Sequence, residues 1–356
     1  MEPIKSHQGR KCAICVPSSI ISGSNARNLE QITNIAYQVA RAATIYNVSE
    51  IVILDIPSPA EKQAKRDTEA QKFVAVAGEG GNKKISFNLA NDDSDASEQM
   101  TEQEVNTRKL DESENNGLLF ATLMQYFVTP PYLVKGVFQE SIFKHKFKYA
   151  QKLPKLSTLP FMSNNEVTKI FKEGLSVPKH TPKIKKKNKK VSALKKLQVT
   201  KYINIGNETP LILSGAEIPI NVRVTVDIKN KKVVSPQVAY GISGTKSSFG
   251  YLVRYAKTFS SIFTELSFPN GYTKSVFIQA NDYFSKTTKT TLEKIDSIEE
   301  GQVLLIVGKL EEFREKFSQE SIPEVDSVTD MFDGEIEVPA GLRIEDAVMI
   351  GLTKVL

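Results

Sequence analysis

A parallel α/β sheet interrupted by a β-rich insert is the fold that this sequence predicts. Three observations carry it. Residues 303–307 read Val-Leu-Leu-Ile-Val without a polar side chain, which suits a strand covered on both faces. Residues 12–56 read strand–helix–strand, the unit that joins neighbouring parallel strands. From about residue 154 to 244 the periodicity shortens to brief alternating runs, and α/β patterning resumes after them. A chain of 356 residues is long enough for more than one domain.

The first strand, 12–17, is short and apolar, and the polar loop SSIISGSNARN follows it. Asn28 is placed to cap a helix with Leu29, Ile32, Ala36, Val39, Ala43 and Tyr46 on one face, ended by Asn47. Residues 50–56, EIVILDI, form the second strand, which Pro57 and Pro59 stop. Residues 78–116 are acidic and polar, and their composition predicts a disordered insertion. A buried helix is expected over 118–127, before Pro130-Pro131.

In the insert, residues 197–205, 218–228 and 232–240 read as strands, with Val222, Val224 and Val226 on one face. Short strands beside a basic loop suit a small barrel of the OB type, a platform for single-stranded nucleic acid. The loop carries Lys185, Lys186, Lys187, Lys189 and Lys190, read as an RNA-phosphate surface and as a nuclear import signal. Beyond it, Leu252, Ala256, Phe259, Phe263 and Leu266 predict a helix with Arg254 outside its apolar face. Residues 275–280 are a strand, and residues from 281 to the strand at 303 read as polar and helical.

Composition narrows the function classes. Charged residues are 25% and hydrophobic residues 40%, ordinary for a soluble globular chain. No apolar run reaches a membrane span, and the first residues lack the apolar core of a secretory signal, so an intracellular protein without a membrane partner is expected. Net charge is +6 and unevenly placed, which favours a polyanion over a small acidic substrate. Cys12 and Cys15 form a CxxC inside a strand, where positions three apart face opposite ways, so no metal site is expected. Gly78-Glu79-Gly80-Gly81 does not continue into the Gly-Lys-Ser/Thr of a phosphate loop.

The C-terminal stretch is the best place for a small-molecule pocket. Gly308 ends the apolar strand, Pro339-Ala340-Gly341 forms a turn, and Ile344, Ala347, Val348, Gly351, Leu352 and Val355 share a helical face. An ordinary sheet edge without a ligand would read the same way.

FGYLVRYAKTFSSIF, VLLIVGKLEEF and MFDGEIEVPAGLRIEDAVMIGLTKVL, with CVPSSII, ARAATIYNVSEIVILD and PPYLVK, resemble in order and spacing the SPOUT methyltransferases that carry an OB-like insert. The resemblance implies a trefoil-knotted α/β domain in two parts, residues 10–153 and 245–356, around an OB-like insert at 154–244. It implies S-adenosylmethionine as methyl donor, ribosomal RNA or a pre-ribosome as partner, a homodimer or a heterodimer with a paralogue, and a nuclear, nucleolar site of action. Carried over by position, the cofactor residues are Gln279, Ala280, Asn281, Val307, Gly308, Lys309, Pro339, Ala340, Gly341 and Leu342. Arg343 and Arg254 are the polar residues expected near the chemistry. The chain departs from the family at Lys309, where a second glycine is usual, and at the knot loop, shortened to Pro339-Ala340-Gly341. Two functions are therefore expected to compete: an RNA methyltransferase, and an RNA-binding assembly factor that has lost methyl transfer. An apolar dimer face on the terminal helix, with Val348, Leu352 and Val355 exposed, is also expected.

Overall fold

The computed structural model of the chain describes residues 10–57, 115–159, 162, 170–179, 185–186, 189–190, 198–235, 238–239, 250–266, 268, 271–280, 291–295, 298, 301–320, 322–323 and 325–355. Strands β1 (Arg10–Pro17) and β2 (Glu50–Leu54) come first. The insert supplies β3 (Phe171–Ser176), β4 (Lys185–Lys186), β5 (Lys189–Lys190), β6 (Val199–Thr200), β7 (Tyr202–Asn204), β8 (Leu211–Ile212), β9 (Ile218–Pro219), β10 (Arg223–Asp227) and β11 (Lys232–Val234). Strands β12 (Leu252–Ala256), β13 (Lys274–Gln279), β14 (Gly301–Gly308) and β15 (Gly334–Glu335) follow. Among the described residues the α-helices are α1 (Leu29–Ile45), α2 (Asn116–Phe127), α3 (Pro131–Val137), α4 (Ser261–Thr264), α5 (Leu310–Ser318) and α6 (Ile344–Val355).

The central sheet has the order β12-β2-β1-β14-β13-β15, and every neighbouring pair runs parallel. Its strands alternate between two cores. Ile14, Ile51, Val276 and Leu305 enter one, under α1, α2 and α6. Ala13, Val52, Phe277 and Leu304 enter the other, where Leu310 and Phe313 of α5 and Ile262 of α4 pack. This is why 303–307 lacks polar residues: both faces are dry. Cys12 and Cys15 fall into different cores, so one ion cannot bridge them, and burial pushes both thiols up to about 12.

Helix α1 forms as its sequence predicts. The Asn28 side chain accepts from Gln31 N at 2.9 Å, and Ile35, Ala36, Val39 and Ala43 turn to the core. Asn47, at φ 53°, reverses the chain into β2. The predicted acidic insertion at 78–116 lies outside the described residues, save for Asn115 and Asn116. There Asn115 caps α2, its side chain accepting from Leu118 N at 2.8 Å.

In the insert, β11-β10-β3-β7-β8 form an antiparallel sheet, β6 pairs with β9, and Ile203, Ile205, Leu213 and Val226 make a small core. The predicted valine face is only partly kept: Val226 is buried, Val224 is half-buried and Val222, before β10 begins, is exposed. Strand β3 has no apolar alternation to announce it. Its Glu173 is buried because Arg223 Nε and Thr225 Oγ1 of β10 reach it at 3.3 and 3.0 Å. The lysine tract pairs as an antiparallel ladder, Lys185 with Lys190 and Lys186 with Lys189, while Lys187 lies outside the described residues.

Three expectations are corrected. Residues 252–256 are the edge strand β12, not a helix, because pairing with β2 across five registers outweighs an i,i+4 apolar pattern. Residues 291–295 are not helical; Lys294 bridges to Glu335. Val348, Leu352 and Val355 are buried in the chain's own core against α1 and β13, so they offer no dimer face. Burying each such side chain contributes about 1.5–3 kcal/mol without a partner chain. Among the described residues no helix is long and apolar enough to cross a membrane.

Candidate cofactor cleft

The sheet order places β14 between β1 and β13. The chain leaves β1 toward β2 on one side, whereas β13, β14 and β15 lie on the other. Reversal of that kind opens a crevice beyond the carboxyl ends of the strands. A cleft lies there. Ile20 and Asn25 line it from the loop after β1, Ala280 from the end of β13, Lys309 from the end of β14, and Leu342, Arg343, Ile344 and Glu345 from the start of α6.

The loop after β1 is fixed by its own serines. Ser18 Oγ accepts from Ile56 N at 2.8 Å, and Ser19 Oγ donates to Glu312 of α5 at 2.5 Å. Asn25 Nδ2 donates to Ser19 O at 2.9 Å. Arg343 then ties α6 to this loop: its Nη2 donates to Asn25 O at 3.0 Å and its Nε pairs with Glu345 at 2.7 Å. Glu345 is 5% exposed and the Arg343 side chain 47%, so this arginine keeps a wet side facing outward.

The cleft brings together Ala280, Lys309 and Leu342 of the predicted cofactor residues, with the predicted Arg343. Ala280 N donates to Gly308 O at 3.1 Å, locking two strand ends together. Val307 is a core residue. Gly308 faces its own protein: a Cβ there would stand 2.9 Å from Phe313 and 3.1 Å from Pro17. Gln279 is in register with Gly308, and both polar atoms of its carboxamide are out of solvent without a hydrogen-bond partner. Alternation along β13 sends it to the Phe277 side, so it flanks the cleft from the other face. Pro339 and Ala340 are exposed in the turn before α6, and Gly341 has φ 80°, which its lack of a side chain permits. Asn281 lies outside the described residues.

Arg254 is elsewhere. On β12 its Nε binds Glu50 at 2.8 Å, and its other nitrogens reach Ser261 O, Ile262 O and the Tyr272 hydroxyl at 2.6, 3.0 and 3.3 Å. Tyr272 in turn donates to Glu50 at 3.0 Å. Burial, then the Glu50 charge, raise the Tyr272 hydroxyl above its usual range and keep it a donor. Ile20 and Asn25 were missed by sequence reasoning. A signal was present, since the loop that holds Ile20 and Asn25 leaves the carboxyl end of a buried parallel strand.

The residues suit a nucleoside-bearing methyl donor in chemistry more than in volume. Backbone groups of three converging segments can meet an adenosine. The cleft measures about 10 Å³, the room of one water molecule, so it must open to admit one.

Comparison with known proteins identifies the family. A family model described as "Putative RNA methyltransferase" matches residues 11–355. Two proteins of Saccharomyces cerevisiae, each described as "Putative methyltransferase", are 32% and 31% identical to the chain; the matches span 97% and 96% of this chain and 93% and 87% of theirs. The mouse 28S rRNA (uridine-N(3))-methyltransferase is 26% identical over 75% of this chain and 57% of its own length.

Proposed function

Because the chain belongs to the RNA methyltransferase family that its residues 11–355 match, we propose that it transfers a methyl group from S-adenosylmethionine to ribosomal RNA during ribosome assembly in the nucleus, within the nucleolus. By likeness to the mouse enzyme, the proposed target is a uridine of the large-subunit rRNA. The observation that carries the reading is the meeting of Ala280, Lys309 and Leu342 at the reversal of the sheet. The donor supplies an electrophilic methyl when bound, and the protein's task is then in-line positioning. Ala280, Lys309 and Leu342 would hold it, with Gln279 offering a carboxamide beside the strand ends. Arg343, half exposed at the rim, would meet an RNA phosphate.

The same reading takes the C-terminal segment as a trefoil knot and the antiparallel sheet of the insert as OB-like. A bond from Ser214 N to Lys231 O, 2.9 Å, joins the ends of that sheet and supports the second assignment. It divides the chain at 10–153, 154–244 and 245–356. A homodimer, or a pair with a paralogue, would use surfaces other than the buried face of α6. The test is transfer of a labelled methyl from S-adenosylmethionine to large-subunit rRNA by the purified protein. Incorporation at uridine is the expected result, and a lack of transfer to any rRNA rules it out.

One observation favours a second reading. A cleft of about 10 Å³ beside Lys309, with the space at Gly308 filled by Phe313 and Pro17, suits an RNA-binding assembly factor that no longer transfers methyl groups. Both readings need RNA affinity. Changing Lys185, Lys186, Lys187, Lys189 and Lys190 together to Gln is expected to weaken RNA binding and to lower its salt slope by about 0.7 for each phosphate that is no longer neutralised. A salt titration followed by fluorescence anisotropy measures this, and an unchanged slope removes the assignment.

A further inference from the structure

A second cavity lies far from the cleft and no part of the function above uses it. It has a volume of about 320 Å³ and is lined by Tyr126 and Phe127 at the end of α2, Thr129, Val134 of α3, and Leu153 and Lys155 of the segment that follows. That volume falls where small-molecule sites begin. Its aromatic wall is braced from behind. Tyr126 stacks on Phe147 with centroids 4.6 Å apart, and Phe127 meets Tyr37 edge-on at 5.5 Å. Both lining rings are only half-buried, so each keeps an accessible side.

The segment that supplies one wall of this cavity carries charge of one sign. Residues 141–159 contain Lys144, Lys146, Lys148, Lys152, Lys155 and His145, and no acidic residue. Lys148 and Lys152 lie over the Tyr149 ring at 5.2 and 5.7 Å, next in the chain to the lining residues Ala150, Gln151 and Leu153. Between the lining residues Pro131 and Val134, Tyr132 contacts the insert: its hydroxyl donates to Glu173 O at 2.9 Å and Lys172 lies over its ring at 5.0 Å.

We propose that this cavity is an anchoring subsite for single-stranded RNA, in which one base stacks on one of the Tyr126 and Phe127 rings, which stand at 84° to each other, and meets the other edge-on, while Lys155 of the lining and Lys152 of the same segment take the adjoining phosphates. The proposal rests on the RNA reading above. An aromatic-walled pocket lined by Lys155 and built partly from a lysine-rich segment matches the two faces of a nucleotide, the π surface and the phosphate. A protein segment or lipid would leave this excess of positive charge unmatched unless it were itself acidic.

The position of the cavity gives its role. The start of α2 lies at the carboxyl edge of the sheet, where Asn115 Nδ2 donates to the Tyr255 hydroxyl at 3.2 Å. Its end lies at the opposite edge, where the Tyr251 hydroxyl donates to Met124 O at 2.8 Å. A helix of 12 residues spans about 18 Å. A base held here is therefore not the base presented to the cleft. It fixes the register of a strand whose other part reaches the cleft.

The test uses the intact protein and a ten-nucleotide single-stranded RNA containing 4-thiouridine. Irradiation and peptide mapping are expected to place a crosslink within residues 126–129 or 151–156. Leu153→Trp, which fills the cavity, is expected to weaken binding roughly tenfold and to remove that crosslink, with the melting temperature confirming that the variant is folded. The Lys152→Gln, Lys155→Gln double variant is expected to lower the salt slope by about 1.4. If the intact protein binds the RNA but crosslinks elsewhere, the subsite is refuted and the RNA reading stands. If the intact protein binds no RNA, both fall. Should Leu153→Trp fail to fold, the crosslink map of the unmodified protein decides alone.

Discussion

Arg254→Met is expected to destabilise the fold by about 3–5 kcal/mol, because it leaves a buried carboxylate without its cation. Glu50 has no exposed side-chain surface, and Arg254 is its partner at 2.8 Å. The methionine fills similar volume but donates nothing, so Ile262 O loses a donor as well, and Ser261 O is left with the Glu265 N–H at 3.3 Å. The Tyr272 hydroxyl remains on Glu50 and offsets a small part of the loss. Urea unfolding measures the change, with an unaltered slope showing that the same surface is exposed. A loss below about 1 kcal/mol together with abolished methyl transfer would return Arg254 to the chemistry, as the sequence alone suggested.

Gly308→Val is expected to cost about 1–3 kcal/mol, at the upper end of overpacking effects. A Cβ at this position would stand 2.9 Å from Phe313 Cε2 and 3.1 and 3.2 Å from Pro17. Phe313 is fully buried, and Pro17 ends β1 beside β14, so neither can step aside cheaply. The valine methyls add to this. Loss of donor binding would then follow from displaced strand ends rather than from a side chain intruding on the ligand. Thermal unfolding beside donor titration separates the two. An unchanged melting temperature with lost binding would show that Gly308 faces ligand, which its neighbours argue against.

What could be read from the chain divides by range. The capped helix after Asn28, the strands around residues 14, 52 and 305, and the terminal helix were legible because cap and period are local signals. Residues 252–256 misled because five residues can satisfy either period, and pairing with β2 decided it. The terminal helix was read correctly as amphipathic, but an apolar stripe carries no sign of what covers it; here α1 and β13 do. At the cleft, Ala280, Lys309 and Leu342 came from motif resemblance. Asn25 did not, because its place there depends on β14 inserting between β1 and β13, a pairing between residues about 290 apart. Strand β3 was silent because its polar Glu173 is satisfied only by β10.

Calorimetric titration of the intact protein with S-adenosylmethionine, alone and with large-subunit rRNA, tests the central claim most directly. If the cleft between the ends of β1, β14 and β13 opens to a methyl donor, binding in the micromolar range is expected, about −8 kcal/mol, in at least one of the two titrations. Arg343→Ala, which frees α6 from Asn25 and takes this cation from the buried Glu345, should weaken that affinity, with urea unfolding reporting the accompanying loss of stability. No heat of binding in either titration would contradict the account and leave an RNA-binding protein built on a methyltransferase fold.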